Sequence, residues 1–261
     1  MSSRQKARGN PLDWPELVAG VGHELANIAC YVAIVVNGGV GRPGGPADSR
    51  RGAAGPNLER GLDRISSLSK SVSEIGFAGR DAELPMRLLS LQDIALEAVV
   101  AVRQAAESRA VDVTIRALPG EEPSCFGSRD LLITAVRRLL DNAIQYSARG
   151  GSIEVRVEAD RESSRLVVLD EAIGLEAGEE ELVLNPFYRG RRQVEATEYG
   201  VGLGLTVATV IAARHEGVIR VACRKGAGLA VTLELPSAAR SKSRAKSEAA
   251  VRSKRMELFL V

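Results

Sequence analysis

The chain has 261 residues, 45% of them apolar and 26% charged, which is enough for one large domain or two modest ones. Its net charge of +2 excludes a strongly basic, nucleic-acid-like surface for the chain as a whole. Cys30, Cys125 and Cys223 stand at unrelated spacings and form neither a disulfide framework nor a zinc pattern.

Residues 1–12 are polar and read as a flexible N-terminus, with no secretory leader. No apolar run approaches the ~20 residues that a membrane span needs, so a cytoplasmic location is expected. Asp13 suits an N-cap and Pro15 the first helical turn, where a missing N–H costs nothing. Leu17, Val21, Leu25, Ile28, Val32 and Val35 then recur at spacings of three and four, which predicts a helix with one apolar stripe. Residues 37–56 hold seven glycines and three prolines and predict a break in regular structure. A second striped helix follows through Leu58, Leu62, Ile65, Leu68, Val72 and Ile75. Residues 13–80 thus read as a helical hairpin. Two helices alone bury too little, so pairing with a second copy into a four-helix bundle predicts a homodimer.

From residue 84 to 236 the pattern becomes mixed α and β. Helices are predicted over 91–109 and 129–147 and through LTVATVIAARH (205–215). Strands are predicted at VDVTIRAL, SIEVRVEA, SRLVVLD, GVIRVACR and LAVTLEL, with an irregular, charged stretch over 175–201. Helices on one face of a mostly antiparallel sheet is the expected layering. Residues 237–261 carry seven Lys/Arg against two Glu and have little to bury, so they read as a basic, disordered tail. The alternative is a docking arm for an anionic surface.

Several side chains can carry chemistry. His23 lies off the apolar stripe, with Asn27 one turn on and Glu24 beside it. A neutral imidazole is a nucleophile near pH 7, and an adjacent carboxylate can orient it and take its proton. Asn142 offers an amide oxygen on a helix, a ligand type that Mg²⁺ accepts alongside phosphates. Asp170 ends a strand, where its carboxylate can accept the exocyclic amine proton of adenine, and Gly174 lets the backbone bend round a base. Gly200, Gly202 and Gly204 lead into a helix, an arrangement that accommodates phosphates, but the spacing is neither the dinucleotide fingerprint nor a Walker loop. Between these segments, Phe187 and Tyr188 can anchor a lid, and Arg189, Arg191 or Arg192 can reach phosphates. His215, before Gly217, reads as a structural helix cap.

Taken in order, these segments resemble the sensor histidine kinases of two-component signalling. VGHELAN looks like their H box, RRLLDNAIQYS their N box, VVLDEAIG their first glycine box and NPFYRG their F box. GVGLGLTVATVIAARHEG looks like their second glycine box, so the resemblance covers about residues 14–236. It implies an α+β protein: a dimerisation and phosphotransfer hairpin, a four-helix bundle in the dimer, followed by an α/β sandwich ATP-binding domain of the Bergerat type. His23 would be the phosphoacceptor and Glu24 its acid/base neighbour, with Asn27 matching a position associated with dephosphorylating a partner receiver domain. Asn142 would ligate Mg²⁺ and Asp170 would bind adenine. Tyr146, Gly174, Phe187, Arg189, Gly200, Gly202, Leu203 and Gly204 would complete the ATP site. The implied activity is autophosphorylation of His23 from ATP and transfer to the Asp of a response regulator receiver domain. The motifs depart from the family pattern at Ile28, where Pro is usual, Arg138, where Asn is usual, Gln145, where a basic residue is usual, and Ala172, where Gly is usual. Those departures keep two alternatives open: a phosphotransfer or phosphatase protein with a degenerate ATP site, and a non-enzymatic pseudokinase dimer scaffold.

Overall fold

The computed structural model describes residues 20–22, 48–79, 85–192, 200–224 and 228–240. Residues 20–22 are helical. The remaining elements are α1 (Asp48–Ala78), β1 (Arg87–Ser90), α2 (Leu91–Ser108), β2 (Asp112–Ala117), β3 (Ser124–Gly127) and α3 (Arg129–Tyr146). They continue with β4 (Ser152–Ala159), β5 (Ser163–Asp170), a 3-10 turn at Leu182–Leu184, α4 (Gly204–Arg214), β6 (Val218–Cys223) and β7 (Leu229–Pro236).

Side-chain alternation sets the sheet. Val155 and Val157 of β4, Leu166 and Val168 of β5, and Val231, Leu233 and Leu235 of β7 are all buried. The register places Val155 opposite Val168, Val157 opposite Leu166, and Leu166 opposite Leu233. A slip of one residue would turn this whole set to the other face, so the apolar pattern holds the register. The strand order is β2-β4-β5-β7-β6, antiparallel throughout except for the β2–β4 pair. Three helices cover the apolar face. Ile94, Ala98 and Val102 of α2, Leu132, Val136, Leu139 and Ala143 of α3, and Val207 and Ile211 of α4 recur at helical spacing and are buried. Each large side chain so buried contributes about 1.5–3 kcal/mol. This is the layering that the sequence predicts. No described helix is long and apolar enough to cross a membrane.

The structure differs from the sequence reading at three places. Helix α1 begins at Asp48, so Gly52, Gly55 and Pro56 lie within a helix rather than in the predicted break. Arg50, Arg51, Ala53 and Ala54 are strong helix formers, which offset part of the cost of Gly52, Gly55 and Pro56 in a helix interior. Second, β1 and β3 pair into a small antiparallel sheet that the sequence did not announce. Four residues each are too few for a periodicity to be read. Third, the tail starts later than residue 237. Ser237 donates its N–H to Glu162 O at 3.0 Å and accepts from Arg240 N at 3.1 Å, and Ala238 is buried, so residues 237–240 close the domain. Residues 241–261 and the first predicted helix, apart from residues 20–22, lie outside the described residues, as does Cys30. Cys125 is buried, which pushes its thiol up to about 11, and Cys223 is exposed.

His215 caps α4 and ties it to the start of α3. Its ring Nδ1 lies 2.7 Å from Ile211 O and its Nε2 accepts the Ser128 N–H at 3.0 Å, an arrangement that requires the neutral Nδ1–H tautomer. Burial holds its pKa below the ordinary value of 6.5 despite the Ile211 hydrogen bond. Above that value both folded and unfolded forms are neutral. As the pH falls below it the unfolded chain takes up the proton first, so stability is lost on the acid side. Urea unfolding at pH 8 and pH 5.5 should show this loss. His215→Gln should be less stable at pH 8 by about 1–3 kcal/mol, the cost of unpaired buried groups, and should show a flatter pH dependence.

Candidate nucleotide site

The C-terminal half of α3, the loop after the 3-10 turn, the turn at 200–204 and helix α1 meet around a cleft of about 90 Å³. Helix α3 contributes Arg138, Asp141, Asn142, Gln145 and Tyr146; the loop contributes Tyr188 and Arg189. Gly200, Gly202, Leu203 and Gly204 form the opposite wall, and Ser67 and Ser71 of α1 close the third side. Helix α4 starts at Gly204, and Leu203 at its N-cap has no side chain able to accept a hydrogen bond. The first-turn N–H groups are therefore available to an anion.

Gly202 is the tightest point of this wall. Its φ is +74°, and a Cβ there would stand 2.7 Å from the carbonyl carbon of Phe187 and 2.8 Å from Tyr188 O. The same approach lets Phe187 donate its N–H to Gly202 O at 2.9 Å. Phe187 itself holds φ at +63°, a conformation unusual for a bulky residue. Beside it, Glu179 is a buried carboxylate that organises the loop: it accepts from Tyr188 Oη at 2.9 Å, Arg191 N at 3.1 Å and Glu176 N at 2.9 Å. Burial pushes its pKa up, but these donors together with Arg191 outweigh it and hold it below the usual range.

The ring of Phe187 occupies the space over Gly20, where an ideal Cβ would lie 2.2 Å from ring carbons Cδ2 and Cε2. The loop after the 3-10 turn therefore touches the helical segment 20–22, three residues ahead of His23. His23, Glu24 and Asn27 themselves lie outside the described residues.

Asp170 and Gly174 are not among the residues that line the cleft. Asp170 is 2% exposed. Its Oδ1 accepts the N–H groups of Ala172 at 3.0 Å and Leu229 at 2.9 Å, and its carbonyl accepts Arg224 Nη1 at 2.6 Å. Desolvation raises its pKa against those hydrogen bonds and the Arg224 charge. Gly228, with φ +89°, presses on this point: a Cβ there would fall 2.0 Å from Asp170 O. The end of the site expected to take a base is thus packed, while the end expected to take phosphates is formed.

The donor set of the cleft suits a polyanion with a hard cation: the neutral amides of Asn142 and Gln145, a helix N-terminus, and the guanidiniums of Arg138 and Arg189. Asp141 sits among them, its pKa raised by burial against the lowering pull of Arg137, Arg138 and Lys70. Among the described residues there is no cluster of three or more His, Cys, Asp or Glu side chains able to hold a metal by itself, so phosphate oxygens would have to complete any Mg²⁺ shell. Sequence reading passed over Ser67, Ser71, Asp141 and Glu179. None of them carries a local signal that separates it from neighbouring polar residues.

The model of the histidine kinase-, DNA gyrase B- and HSP90-like ATPase family matches residues 127–239. The sensor-like histidine kinase SenX3 of Mycobacterium tuberculosis is 28% identical over 223 residues, covering 85% of this chain and 53% of SenX3. The chain thus spans about half the length of such curated relatives. The structure of the mycobacterial sensor histidine kinase MprB is similar with a TM-score of 0.50 at 25% identity, covering 58% of this chain and 97% of that one. The histidine kinase ThkA, solved in complex with the response regulator protein TrrA, has a TM-score of 0.65 at 18% identity, covering 86% of this chain and 62% of that one. At that identity the likeness is one of fold.

Gly202→Ala should be destabilising by about 1–3 kcal/mol, since it adds left-handed strain to a backbone clash. Limited proteolysis of the variant should cut within residues 185–192 faster than in the wild type. An unchanged melting temperature and cleavage pattern would mean that the close approach of these segments is not needed.

Proposed function

We propose that this protein is an ATP-dependent protein-histidine kinase of a two-component system, a reading supported by the match of residues 127–239 to the histidine kinase-, DNA gyrase B- and HSP90-like ATPase family and by the likeness of the chain to a sensor-like histidine kinase. The observation that carries the reading is the contact of Phe187 with Gly20. It joins the loop bordering the cleft to the helical segment that leads directly to His23. A catalytic domain that serves a histidine on another segment needs such a seat, because phosphoryl transfer depends on positioning far more than on covalent chemistry.

In this reading ATP lies with its phosphates along Gly200, Gly202 and Gly204, against the N–H groups at the start of α4. Arg189 adds positive charge, Tyr146 and Leu203 line the wall, and Phe187 seats the lid. Asp170 and Gly174 take the adenine once the base end opens. Asn142 would hold Mg²⁺, which when bound supplies charge neutralisation at the phosphates. An imidazole nitrogen of His23 attacks the γ-phosphorus, the bond to the ADP oxygen breaks, and the imidazole proton passes to Glu24. The phosphoryl group then moves to an Asp of a response regulator receiver domain, and Asn27 would assist the separate attack of water on that phosphoaspartate, which releases phosphate and dephosphorylates the receiver. The reaction requires ATP and so belongs in the cytoplasm.

Incubation with γ-labelled ATP and Mg²⁺ should give acid-labile label on the protein. His23→Gln should abolish it, and Asn142→Ala should lower it by about 10²-fold or more, the scale of losing a group that stabilises transition-state charge. Uptake of label only from a phosphorylated receiver, still dependent on His23, would instead identify a phosphotransfer protein. No label by either route, with the protein folded, would leave a scaffold.

A homodimer is part of the proposal. Leu68 and Ile75 of α1 are buried, at 3% and 0% exposure, whereas Leu62 and Ile65 on the same stripe are 55% and 37% exposed. A second hairpin would cover them. Light scattering should give twice the monomer mass for the wild type and the monomer mass for Ile65→Glu. A monomeric wild type would refute the dimer.

A further inference from the structure

Helix α1 does more than support the domain: it grips α3 at the mouth of the cleft. Glu74 is shared between two guanidiniums, with Oε1 2.9 Å from Arg137 Nη2 and Oε2 2.7 Å from Arg138 Nε. Arg138 Nη2 is also 2.6 Å from Glu74 Oε2 and donates to Ser71 Oγ at 3.2 Å. The pairing is largely shielded from water, the Arg138 and Glu74 side chains being 11% and 17% exposed. Ser67, Ser71 and Glu74 follow one another at i, i+4 and i+7, so one face of α1 both lines the cleft and holds Arg138.

The cleft beneath this clasp has a volume of about 90 Å³, against roughly 300–1,000 Å³ for ligand pockets. On the side that Ser67 and Ser71 line, moving α1 would widen the cleft; the base end is closed separately, by Gly228 against Asp170. Yet Arg138 is itself a wall residue of the cleft. Released from Glu74, its guanidinium would face the phosphates, and a polyphosphate offers more charge than one carboxylate as well as the bidentate geometry that guanidinium prefers.

We propose that Arg138 is a two-position residue: clasped by Glu74 and Ser71 it holds α1 over a closed cleft, and in the nucleotide-bound form it exchanges them for the phosphate chain. The proposal rests on the ATP-site reading above and adds a phosphate-binding residue and a latch to it. Coupling is reciprocal. Nucleotide loosens α1, and any signal that pulls α1 away raises nucleotide affinity, with Glu74 as the coupling group beside the apolar packing of Leu68 and Ile75.

The test uses the full chain, with Mg-ATP and Mg-ADP binding followed by calorimetry and amide exchange followed over residues 67–75 and 138–146. Glu74→Gln should bind Mg-ATP about five- to tenfold more tightly than the wild type, the lower part of the usual coupling range, and should exchange faster in both segments without nucleotide. Arg138→Ala should bind Mg-ATP more weakly. The double variant should match Arg138→Ala, because Arg137, the other partner of Glu74, does not line the cleft. If Glu74→Gln does not fold, Glu74→Asp, which keeps the charge one methylene shorter, should show a smaller gain in the same direction. ATP binding that is equal in the wild type and Glu74→Gln overturns the latch and leaves the ATP site standing. No nucleotide binding by either protein, with exchange raised in Glu74→Gln, overturns the ATP-site reading and the role of Arg138 with it.

Discussion

The close approach of Gly202 to the Phe187–Tyr188 backbone is the constraint on which the candidate site depends. With no Cβ at 202, two segments fifteen residues apart in sequence come within hydrogen-bonding distance, Phe187 N to Gly202 O at 2.9 Å. Three consequences follow from that one contact. The turn at 200–204 is held against α3, so the start of α4 faces Asn142. Tyr188 is delivered to Glu179, which fixes the loop from beneath. Phe187, forced to φ +63°, turns its ring onto Gly20. A strained residue persists only where its surroundings over-determine it, and here packing on one side and a backbone hydrogen bond on the other do so.

Charge is arranged around the same cleft with a surplus of cations. Arg137, Arg138 and Arg189 stand against Glu74 and Asp141, with Arg137 and Arg138 both turned to Glu74 of α1. One carboxylate serving two guanidiniums is a poor device for stability alone, since largely buried ion pairs return little over the cost of desolvation. It is a better device for a contact that must be exchanged. A strong apolar seam would hold α1 more firmly, and Leu68 and Ile75 supply one nearby, but an apolar seam has nothing to offer a phosphate.

Legibility in the sequence followed the strength of local pattern. Strand β4 occupies the predicted residues 152–159, and β5, β7, α2, α3 and α4 differ by a residue or two, because eight-residue alternations and eleven- to eighteen-residue stripes leave little choice of structure. The β1–β3 pair escaped because it joins two four-residue segments nearly forty positions apart, with Arg87 opposite Gly127. Glu179 escaped because it opens a run of three glutamates, and only the fold determines which of them is buried. Glu74 and Ser71 escaped for the opposite reason to Leu68: they lie off the apolar stripe of α1, where polar residues are expected to meet water, and α3 meets them instead. The cleft-lining glycines and Asn142 were visible because their motifs are local. The seam between α1 and α3 was not.

The departures from the family motifs acquire distinct meanings in this setting. Ala172 stands where a glycine is expected, yet it is absent from the described residues with positive φ, and its N–H still binds Asp170 Oδ1 at 3.0 Å. The position does not use glycine's freedom here, so alanine keeps the contact without strain. Gln145 lies against the glycine turn, where a Cβ at Gly200 would stand 2.9 Å from its Nε2. It fills the wall with a neutral side chain and leaves the positive charge to Arg138 and Arg189. Arg138 is the substitution with consequences. It replaces a short amide by a long cation that reaches out of the cleft to α1, so the position that departs most from the pattern is also the one that ties the two helical layers together. Of the three departures that fall in described residues, Ala172 and Gln145 are therefore compatible with a nucleotide site, and Arg138 is the one that the proposed latch would use.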